Sequence, residues 1–422
     1  MRPSVDALKA DSFDVWSRAL SIIPAASHHY ITDEQLQKET EVDRLMRAVD
    51  ADLEATARQA KHLGRKPRHG VRERIQRAIV QLLHTFDCAI DAEMERRFSA
   101  VTDDFIRHAC DFDPGISDEA VYQASRNLLI MNTIQMFLGR EVRLTPSVFA
   151  YSMLYPYTDN YLDAADVNVL SKREMNDYLL LRLNGISVPV RNSHEQIIDR
   201  LVCMIEQEFD RNGTPQVFES LLAIHRGQIR SVDQCGRADL TPDELLNISV
   251  EKGGTSVLAD GYLVAGDLAE ADAVFLFRFG VLLQLIDDLQ DLEEDFSNRQ
   301  RTLAGVFAGQ MSLHCFTNQL LSYLDAVVVQ DPHDRARERR NFRALVERGC
   351  RLLIFEAIAS NERRYDNEYL AMMEVRSPVR FAYLRAVQKR LRNGYSSDRL
   401  KGYANIGKPG GSARMRILEL VR

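Results

Sequence analysis

Long runs of this sequence lack glycine and proline and carry apolar residues at intervals of three and four. In one such run, Ile75, Ile79 and Phe86 fall on a single stripe, as the apolar face of an α-helix requires. The same pattern recurs over residues 32–62, 71–97, 118–138, 146–166, 171–183, 195–209, 214–234, 242–265, 269–296, 301–327, 335–360 and 363–374. The sequence shows no strand-like alternation with hairpin turns. The chain is therefore predicted to be all-α.

The breaks between the predicted helices contain residues that start and stop helices. Thr241-Pro242 with Glu244 in the next turn is typical of a helix start. Because the connections are short, neighbouring helices are expected to pack antiparallel in a bundle. We expect additional bundle helices or a small subdomain over residues 1–112, the main helical domain over 113–392, and a flexible tail or lid over 393–422.

Composition excludes several classes of protein. A formal net charge of -7 argues against a nucleic-acid binder, which would need clustered cations, and the one basic cluster, at residues 65–74, is interpreted as a solvated surface. The six cysteines lie far apart, without the spacing of a disulfide framework or a zinc site. No apolar run is long enough to span a bilayer, and the first residues lack signal-peptide character. We expect a cytoplasmic protein, and a homodimer is left open.

The first group of chemically informative residues is the stretch YPYTDNYLDAADV. Asp159, Asp163 and Asp166 occur there at i, i+4 and i+7 of a predicted helix, so their carboxylates project from one face. Like charges on one face repel one another unless a cation or a basic group lies between them. The preceding residues are mostly apolar, which is unlike a fully solvated helix.

The second group lies in FLFRFGVLLQLIDDLQDLEEDF. Apolar residues surround nearly the whole predicted helix, which is typical of a core helix. Burying carboxylates on such a helix is costly, so the cluster implies a metal, a water-filled cavity or basic partners. Its aspartates are Asp287, Asp288, Asp291 and Asp295.

Two such motifs predict a clamp for magnesium and diphosphate. Mg²⁺ prefers hard oxygen ligands, binds few protein carboxylates and completes its shell with water and phosphate oxygens. Between the motifs, Arg226 and Arg230 flank Gln228, and Lys252 precedes two glycines, so cations are available for the diphosphate. A di-iron bundle would need Glu-x-x-His pairs, which do not accompany these aspartates. A helical interaction protein without catalysis is the alternative from another class.

From Pro146 to Ala304 the sequence resembles the class I isoprenoid synthase superfamily, whose all-α bundles carry an aspartate-rich motif on each of two facing helices around a central active-site cavity. DNYLD and DDLQD resemble those motifs. Gly227-Gln228 and Lys252-Gly253-Gly254 resemble the Gly-Gln and Lys-Thr elements of polyprenyl diphosphate synthases. The first motif departs from DDxxD and has no Arg-Arg pair close behind it, which weakens the chain-elongation interpretation. Terpene cyclisation is ranked first, head-to-head coupling of the squalene and phytoene type second, and elongation third.

The resemblance implies a mechanism and a set of site residues. About three Mg²⁺ ions would be held with the substrate bound, leading to loss of pyrophosphate and an allylic carbocation that is cyclised or quenched. The metal ligands implied are Asp159, Asp163, Asp287, Asp288, Asp291 and Asp295. The diphosphate contacts implied are Arg226, Arg230, Lys252 and an Arg364-Tyr365 pair like that of many terpene cyclases. Tyr155, one turn before Asp159, and Phe149 are predicted to line the cavity and stabilise the cation.

Overall fold

The computed structural model describes residues 2–24, 28–63, 81, 84–86, 92–163, 167–235, 237, 239–310, 312–329 and 337–394. These residues are predominantly helical, and the only β feature among them is an isolated bridge between Cys235 and Gln300. The all-α prediction is confirmed. The helices are α1 Val5–Arg18, α2 Thr32–Leu63, α3 Ala92–Phe112, α4 Asp118–Phe137, α5 Pro146–Asp163, α6 Val169–Leu183, α7 Ser193–Glu208, α8 Pro215–Ser231, α9 Pro242–Ala265, α10 Glu270–Gln290, α11 Leu292–Asn298, α12 Leu303–Gln310, α13 Leu313–Val328, α14 Arg337–Ser360, α15 Asn367–Glu374 and α16 Phe381–Gly394.

The chain forms two compact units. The first comprises Met1–Ile23 and Ala100–Arg343, and the second comprises Pro24–Ser99 and Ala344–Arg422. The first unit contains α1 and α4 to α13, including both aspartate motifs. The predicted division after residue 112 coincides with the end of α3, whereas the predicted tail falls almost entirely outside the described residues. The predicted domain organisation therefore stays a prediction.

Helix α9 is the central helix of the first unit. It begins where the sequence predicted, because Thr241 and Glu244 form a reciprocal capping box: the Thr241 hydroxyl accepts from the Glu244 N–H, and the Glu244 carboxylate accepts from the Thr241 N–H. Helices α1, α4, α5, α8, α10 and α12 all pack against α9. Residues on α9 are therefore placed between the elements that carry the predicted site.

Helices α8 and α10, which precede and follow α9 in the sequence, run antiparallel to it, as expected from the short connections. On α8, Arg230 bonds Glu251 near the start of α9, and Gln216 bonds the Gly266 carbonyl just past its end. On α10 the order is also reversed, because Asp288 meets Ser249 whereas Leu276 packs at Gly261. The early part of α9 therefore faces the end of α8 and the end of α10.

Two predicted helices are interrupted in the structure. The prediction of one helix over 301–327 was wrong, because α12 ends at Gln310 and α13 begins at Leu313, with Ser312 in an extended conformation between them. The helix predicted over 269–296 bends at Asp291, where α10 gives way to α11. The bend changes the direction in which Asp295 projects relative to a straight helix.

Two further findings concern the cysteines and the possibility of a membrane-spanning helix. The described cysteines, Cys110, Cys203, Cys235, Cys315 and Cys350, are free thiols. Within the part of the chain that the structure describes, no helix combines the length and the apolarity needed to cross a bilayer. The basic cluster at residues 65–74 and Cys88 lie outside the described residues.

Candidate active site

The second aspartate motif is fixed to the core through Asp288. Its side chain is buried, with 5% relative exposure, and both carboxylate oxygens accept hydrogen bonds from neutral groups. The Ser249 hydroxyl donates over 2.8 Å and the Gln284 amide over 2.9 Å. Burial raises the pKa of Asp288 to about 6, against the lowering effect of these bonds and of the Lys252 charge. Asp288 is therefore a buried acid held toward the start of α9.

Asp295, one helical segment later, is also buried, at 9% exposure. Burial raises its pKa to about 8, and the carboxylates of Asp288, Asp291 and Asp287 act in the same direction. The three other aspartates at the α10–α11 bend thus lie close enough to Asp295 for their charges to act on it. A divalent cation bound among these carboxylates would relieve the repulsion between them.

Glycines bring α9 and α10 into backbone contact. A Cβ atom built on Gly253 would lie 2.5 Å from the Gly280 carbonyl oxygen and equally close to Gln284 Cβ, and one on Gly254 would strike the Phe277 ring. No larger residue fits at such an approach without displacement of a helix. The contact places Ser249 within hydrogen-bonding distance of Asp288.

The Gly-Gln and Lys-Gly-Gly elements lie side by side. A Cβ atom on Gly227 of α8 would be 3.2 Å from the Lys252 Cα atom of α9. The small residue thus lets the two helices meet at Lys252. Lys252 itself is half-buried, and its positive charge acts on the Asp288 carboxyl. The structure therefore brings together Lys252 and the second aspartate motif, as the predicted site requires.

The two predicted arginines of α8 have different surroundings. Arg230 donates to the carboxylate of Glu251, the residue directly before Lys252 on α9, over 2.7 Å. Arg226 is exposed, and its charge acts on the buried imidazole of His225. Burial lowers the pKa of His225 to about 4, so this histidine is neutral near pH 7.

The first aspartate motif lies at the end of α5. The backbone is helical through Asp163, while the side chains of Asp159 and Asp163 and the whole of Asp166 are outside the described residues. Helix α5 runs antiparallel to α9, because Ser147 bonds the Leu263 carbonyl, and Asn127 of α4 contacts both Ser152 and Asp260. Continued along the helices, this register puts the end of α5 at the level of the start of α9.

Both motif helices therefore carry their aspartates at one end of α9. A hydrogen bond of 2.7 Å from Asn160 to Gln123 shows that α5 still lies beside α4 at the first motif. Around this segment, Tyr161 stacks on His194 at 4.2 Å between ring centroids, and Tyr157 donates its hydroxyl hydrogen to Asp113. The backbone that carries Asp159 is thus held by aromatic and polar contacts on either side.

The predicted cavity residues differ in exposure. Tyr155 is 43% exposed, whereas Phe149 is buried in an aromatic group with Phe105 and Phe112 of α3, at centroid distances of 5.5 and 5.7 Å. Phe149 thus serves as a core residue between α3 and α5. A role for either residue in lining a substrate cavity stays a prediction.

Arg364 and Tyr365 belong to the second compact unit. Arg364 is exposed, and the buried ring of Tyr365 stacks on Tyr369 with 5.3 Å between centroids. This stacking gives Tyr365 a structural role within its own unit. Their predicted contact with diphosphate stays a prediction.

The aspartates satisfy part of what magnesium requires. The atoms available as metal ligands are all carboxylate oxygens, which are hard ligands. A bound cation would also remove the repulsion that the neighbouring carboxylates exert on Asp295. Among the residues whose side chains are described, no three His, Cys, Asp or Glu side chains are already arranged around a single metal position.

Sequence reasoning missed the residues whose side chains hold the site residues in place. Ser249 and Gln284 bond Asp288, and Glu251 bonds Arg230. Gln284 could have been found, since it precedes Asp288 by one turn on the same face. Ser249 and Glu251 lie across a helix contact, so their partners depend on the register between helices, which the sequence does not give.

No protein-family model matches this chain, and no curated protein sequence is significantly similar to it. Solved structures resemble this chain only at low levels of similarity. A decaprenyl diphosphate synthase from Rhodobacter capsulatus has a TM-score of 0.31 and 14% identity, covering 71% of this chain and 96% of that one. A geranylgeranyl pyrophosphate synthase has a TM-score of 0.30 and 16% identity, covering 75% and 92%. These values are too low to transfer an activity to this chain.

Proposed function

We propose that this protein is a magnesium-dependent enzyme that ionises an allylic prenyl diphosphate and releases pyrophosphate. The observation that carries the proposal is the buried aspartate cluster of α10 and α11 next to Lys252. Neutral donors hold Asp288, and neighbouring carboxylates disfavour ionisation of Asp295. A Mg²⁺ ion that also contacts the phosphates of a substrate would neutralise the negative charge of such a cluster.

The chain's residues have separate roles in this proposal. Asp287, Asp288, Asp291 and Asp295 would hold metal on one side, and Asp159 and Asp163 on the other. Bound Mg²⁺ supplies Lewis-acid stabilisation of the leaving diphosphate. Lys252, Arg230 and Arg226 bind diphosphate oxygens and neutralise the charge that develops on them, and Arg364 and Tyr365 are further candidates.

Ionisation leaves an allylic carbocation that water would quench. The close contact of α9 with α10 excludes water from one side of the site, because no space remains between the two helices at Gly253. Tyr155 and Phe149 are the aromatic residues proposed to face the cation. We rank cyclisation or elimination by a terpene synthase first.

Prenyl transfer, head-to-head or head-to-tail, is the second candidate. The observation that favours it is the contact of Gly227 with Lys252, because it joins the two elements that resemble those of polyprenyl diphosphate synthases. A cytoplasmic location and a homodimer are part of the same proposal. A helical interaction protein without catalysis is the competing proposal from another class.

The deciding experiment supplies substrates of several lengths. Purified protein is incubated with Mg²⁺ and one allylic diphosphate at a time, from geranyl to geranylfarnesyl diphosphate, with and without isopentenyl diphosphate. Pyrophosphate release and extracted products are measured together. Products from a single allylic substrate establish a terpene synthase, coupled chains establish head-to-head transfer, and a requirement for isopentenyl diphosphate establishes elongation.

The interaction-protein alternative makes the opposite prediction. It requires that no substrate releases pyrophosphate and that Mg²⁺ with pyrophosphate leaves the melting temperature unchanged, since a specific ligand stabilises the folded state. Those two results together would reject the proposed function.

A further inference from the structure

Glu251 lies between two cations from different helices. Lys9 of α1 donates to a Glu251 carboxylate oxygen over 2.8 Å, and Arg230 of α8 donates to the same oxygen over 2.7 Å. The Glu251 and Lys9 side chains are only 14% and 16% exposed. Because Lys9 and Glu251 are shielded from water, their interaction is stronger than that of a surface ion pair, whereas the Arg230 side chain is 41% exposed and can reach a ligand.

The position of Lys9 is fixed by the rest of α1. Asp11 accepts two hydrogen bonds from the Arg278 guanidinium of α10, at 2.7 and 2.6 Å. Farther along, the Trp16 ring packs against Phe316 and Tyr323 of α13, each at 5.8 Å between centroids. Helix α1 is therefore attached to α10 and α13, and Lys9 reaches Glu251 from an anchored helix.

This group of three charges borders the candidate diphosphate site. Glu251 directly precedes Lys252, whose charge acts on Asp288. A carboxylate beside a diphosphate would repel it, and one arginine alone would only cancel that charge. Lys9 adds a second positive charge, so the group as a whole is attractive to an anion.

We infer that Lys9 and Glu251 are positioning residues for the diphosphate site. Glu251 holds the Arg230 guanidinium next to Lys252, and Lys9 neutralises Glu251 so that Arg230 keeps its charge available for the ligand. The inference rests on the proposed function and extends it to α1, a helix for which the sequence suggested no chemistry. It assigns Lys9 a role through Glu251 and Arg230, without contact to the substrate.

The test measures binding of inorganic pyrophosphate with Mg²⁺ to the full-length protein by titration calorimetry. Lys9→Met retains most of the side-chain length but removes the charge, and we expect it to weaken binding about tenfold, which corresponds to roughly 1.4 kcal/mol. Lys9→Arg restores a cation and is expected to recover most of the affinity. In a Glu251→Gln background, Lys9→Met is expected to have no further effect, because Lys9 acts through the Glu251 charge.

Arg18→Met is the matched control. It removes one positive charge from the same helix, where Arg18 forms an exposed pair with Asp14, and its affinity for pyrophosphate is expected to equal that of the wild type. Melting temperatures without ligand identify any variant that fails to fold. If Lys9→Met fails to fold, Glu251→Gln is compared with the double variant that carries Glu251→Gln and Lys9→Met.

Each outcome decides between the two proposals. If the wild type binds pyrophosphate with Mg²⁺ and Lys9→Met binds it equally well, the positioning role is rejected while the proposed function stands. Equal effects of Lys9→Met with and without Glu251→Gln would also reject it. If the wild type does not bind pyrophosphate, the proposed function and this inference fall together.

Discussion

Two clusters of shielded carboxylates in the first unit differ in how their charge is compensated. Between α6 and α7, Asp199 and Glu206 accept hydrogen bonds from Arg182 at 2.6 and 3.1 Å, and Arg211 also bonds Glu206. At the α10–α11 bend, the donors to Asp288 are a hydroxyl and an amide. In the α6–α7 cluster the hydrogen-bond donors are arginines, which carry positive charge. In the α10–α11 cluster the hydrogen-bond donors to Asp288, its most buried residue, are neutral.

The pKa shifts of the two clusters have opposite directions. Burial disfavours the charged form of Glu206, but hydrogen bonds from Arg211 and Arg182 outweigh it and lower the pKa. Burial raises the pKa of Asp288 and of Asp295, and in Asp295 the neighbouring carboxylates add to the effect. Burial is thus outweighed by arginine hydrogen bonds at Glu206, whereas at Asp288 and Asp295 it prevails, and strongly perturbed pKa values of that kind are typical of functional sites.

The largest expected effect comes from removing a carboxylate of the second cluster. Asp287→Ala should lower the rate of pyrophosphate release by about 10²–10³-fold, because it removes electrostatic stabilisation at the leaving group. Steady-state kinetics with the best allylic substrate measure it. Asp104→Ala, an exposed aspartate of α3 paired with Arg107, is the control and should retain full activity. Equal rates for both variants would contradict a catalytic role for the α10 cluster.

The first cluster should respond in stability instead. Arg182 is 8% exposed in its side chain, so Arg182→Met leaves Asp199 and Glu206 without their shared cation. We expect a loss of about 3 kcal/mol in the free energy of unfolding, as for a broken buried pair. Urea denaturation measures it, with Arg107→Met at an exposed pair as the control, expected to cost under about 1 kcal/mol. The affinity of Arg182→Met for pyrophosphate should equal that of the wild type. A loss of affinity in this variant would contradict a purely structural role for the α6–α7 cluster.

Asp288→Asn should separate stability from function at the second cluster. In the absence of Mg²⁺ the amide removes a buried carboxylate from among like charges, so we expect the unfolding free energy to rise by about 1–2 kcal/mol. The same change should abolish the stabilisation that Mg²⁺ with pyrophosphate gives the wild type. Thermal denaturation with and without ligand tests both parts. A variant that is destabilised and still stabilised by ligand would show that Asp288 has a purely structural role.

The smallest expected effect is on the free energy of unfolding when Asp260 is replaced, and it depends on pH. It is buried on α9, and its only described hydrogen bond is a long one of 3.4 Å from Asn127. Burial raises the pKa of Asp260 well above its ordinary value, so the folded chain binds this proton more tightly than the unfolded chain. Its contribution to stability is therefore complete at low pH and is lost as the pH rises through and above that ordinary value.

Replacing Asp260 with asparagine should remove this dependence. We expect the free energy of unfolding of Asp260→Asn to be close to that of the wild type near pH 4 and higher than that of the wild type near pH 8. Urea denaturation at the two pH values measures the difference. A gain that is independent of pH would show that Asp260 does not titrate as its surroundings require.

The sequence predicted the helices well where periodicity and end signals agree. The start of α9 at Thr241-Pro242 is one example, since its capping box is local. It missed α1, whose stability depends on contacts such as that of Trp16 with α13. It also missed the interruption at Ser312, because neighbouring apolar residues continue the helical pattern through it.

The site was predictable in its charged residues and not in their arrangement. Aspartates at helical spacing identified the second motif, and Lys252 proved to lie close to it. The bonds from Ser249 to Asp288 and from Lys9 to Glu251 join residues on different helices. Such contacts depend on which faces of two helices pack together, and the packing of the whole unit determines those faces.

The glycine contact between α9 and α10 has a consequence for motion. With Gly253 against the Gly280 backbone, neither helix can slide or rotate past the other without a clash. The two helices form a fixed reference against which other parts of the unit can move. Any rearrangement that encloses a ligand must then come from elements outside this pair of helices. Time-resolved hydrogen exchange should accordingly find α9 and α10 among the slowest segments, with and without ligand.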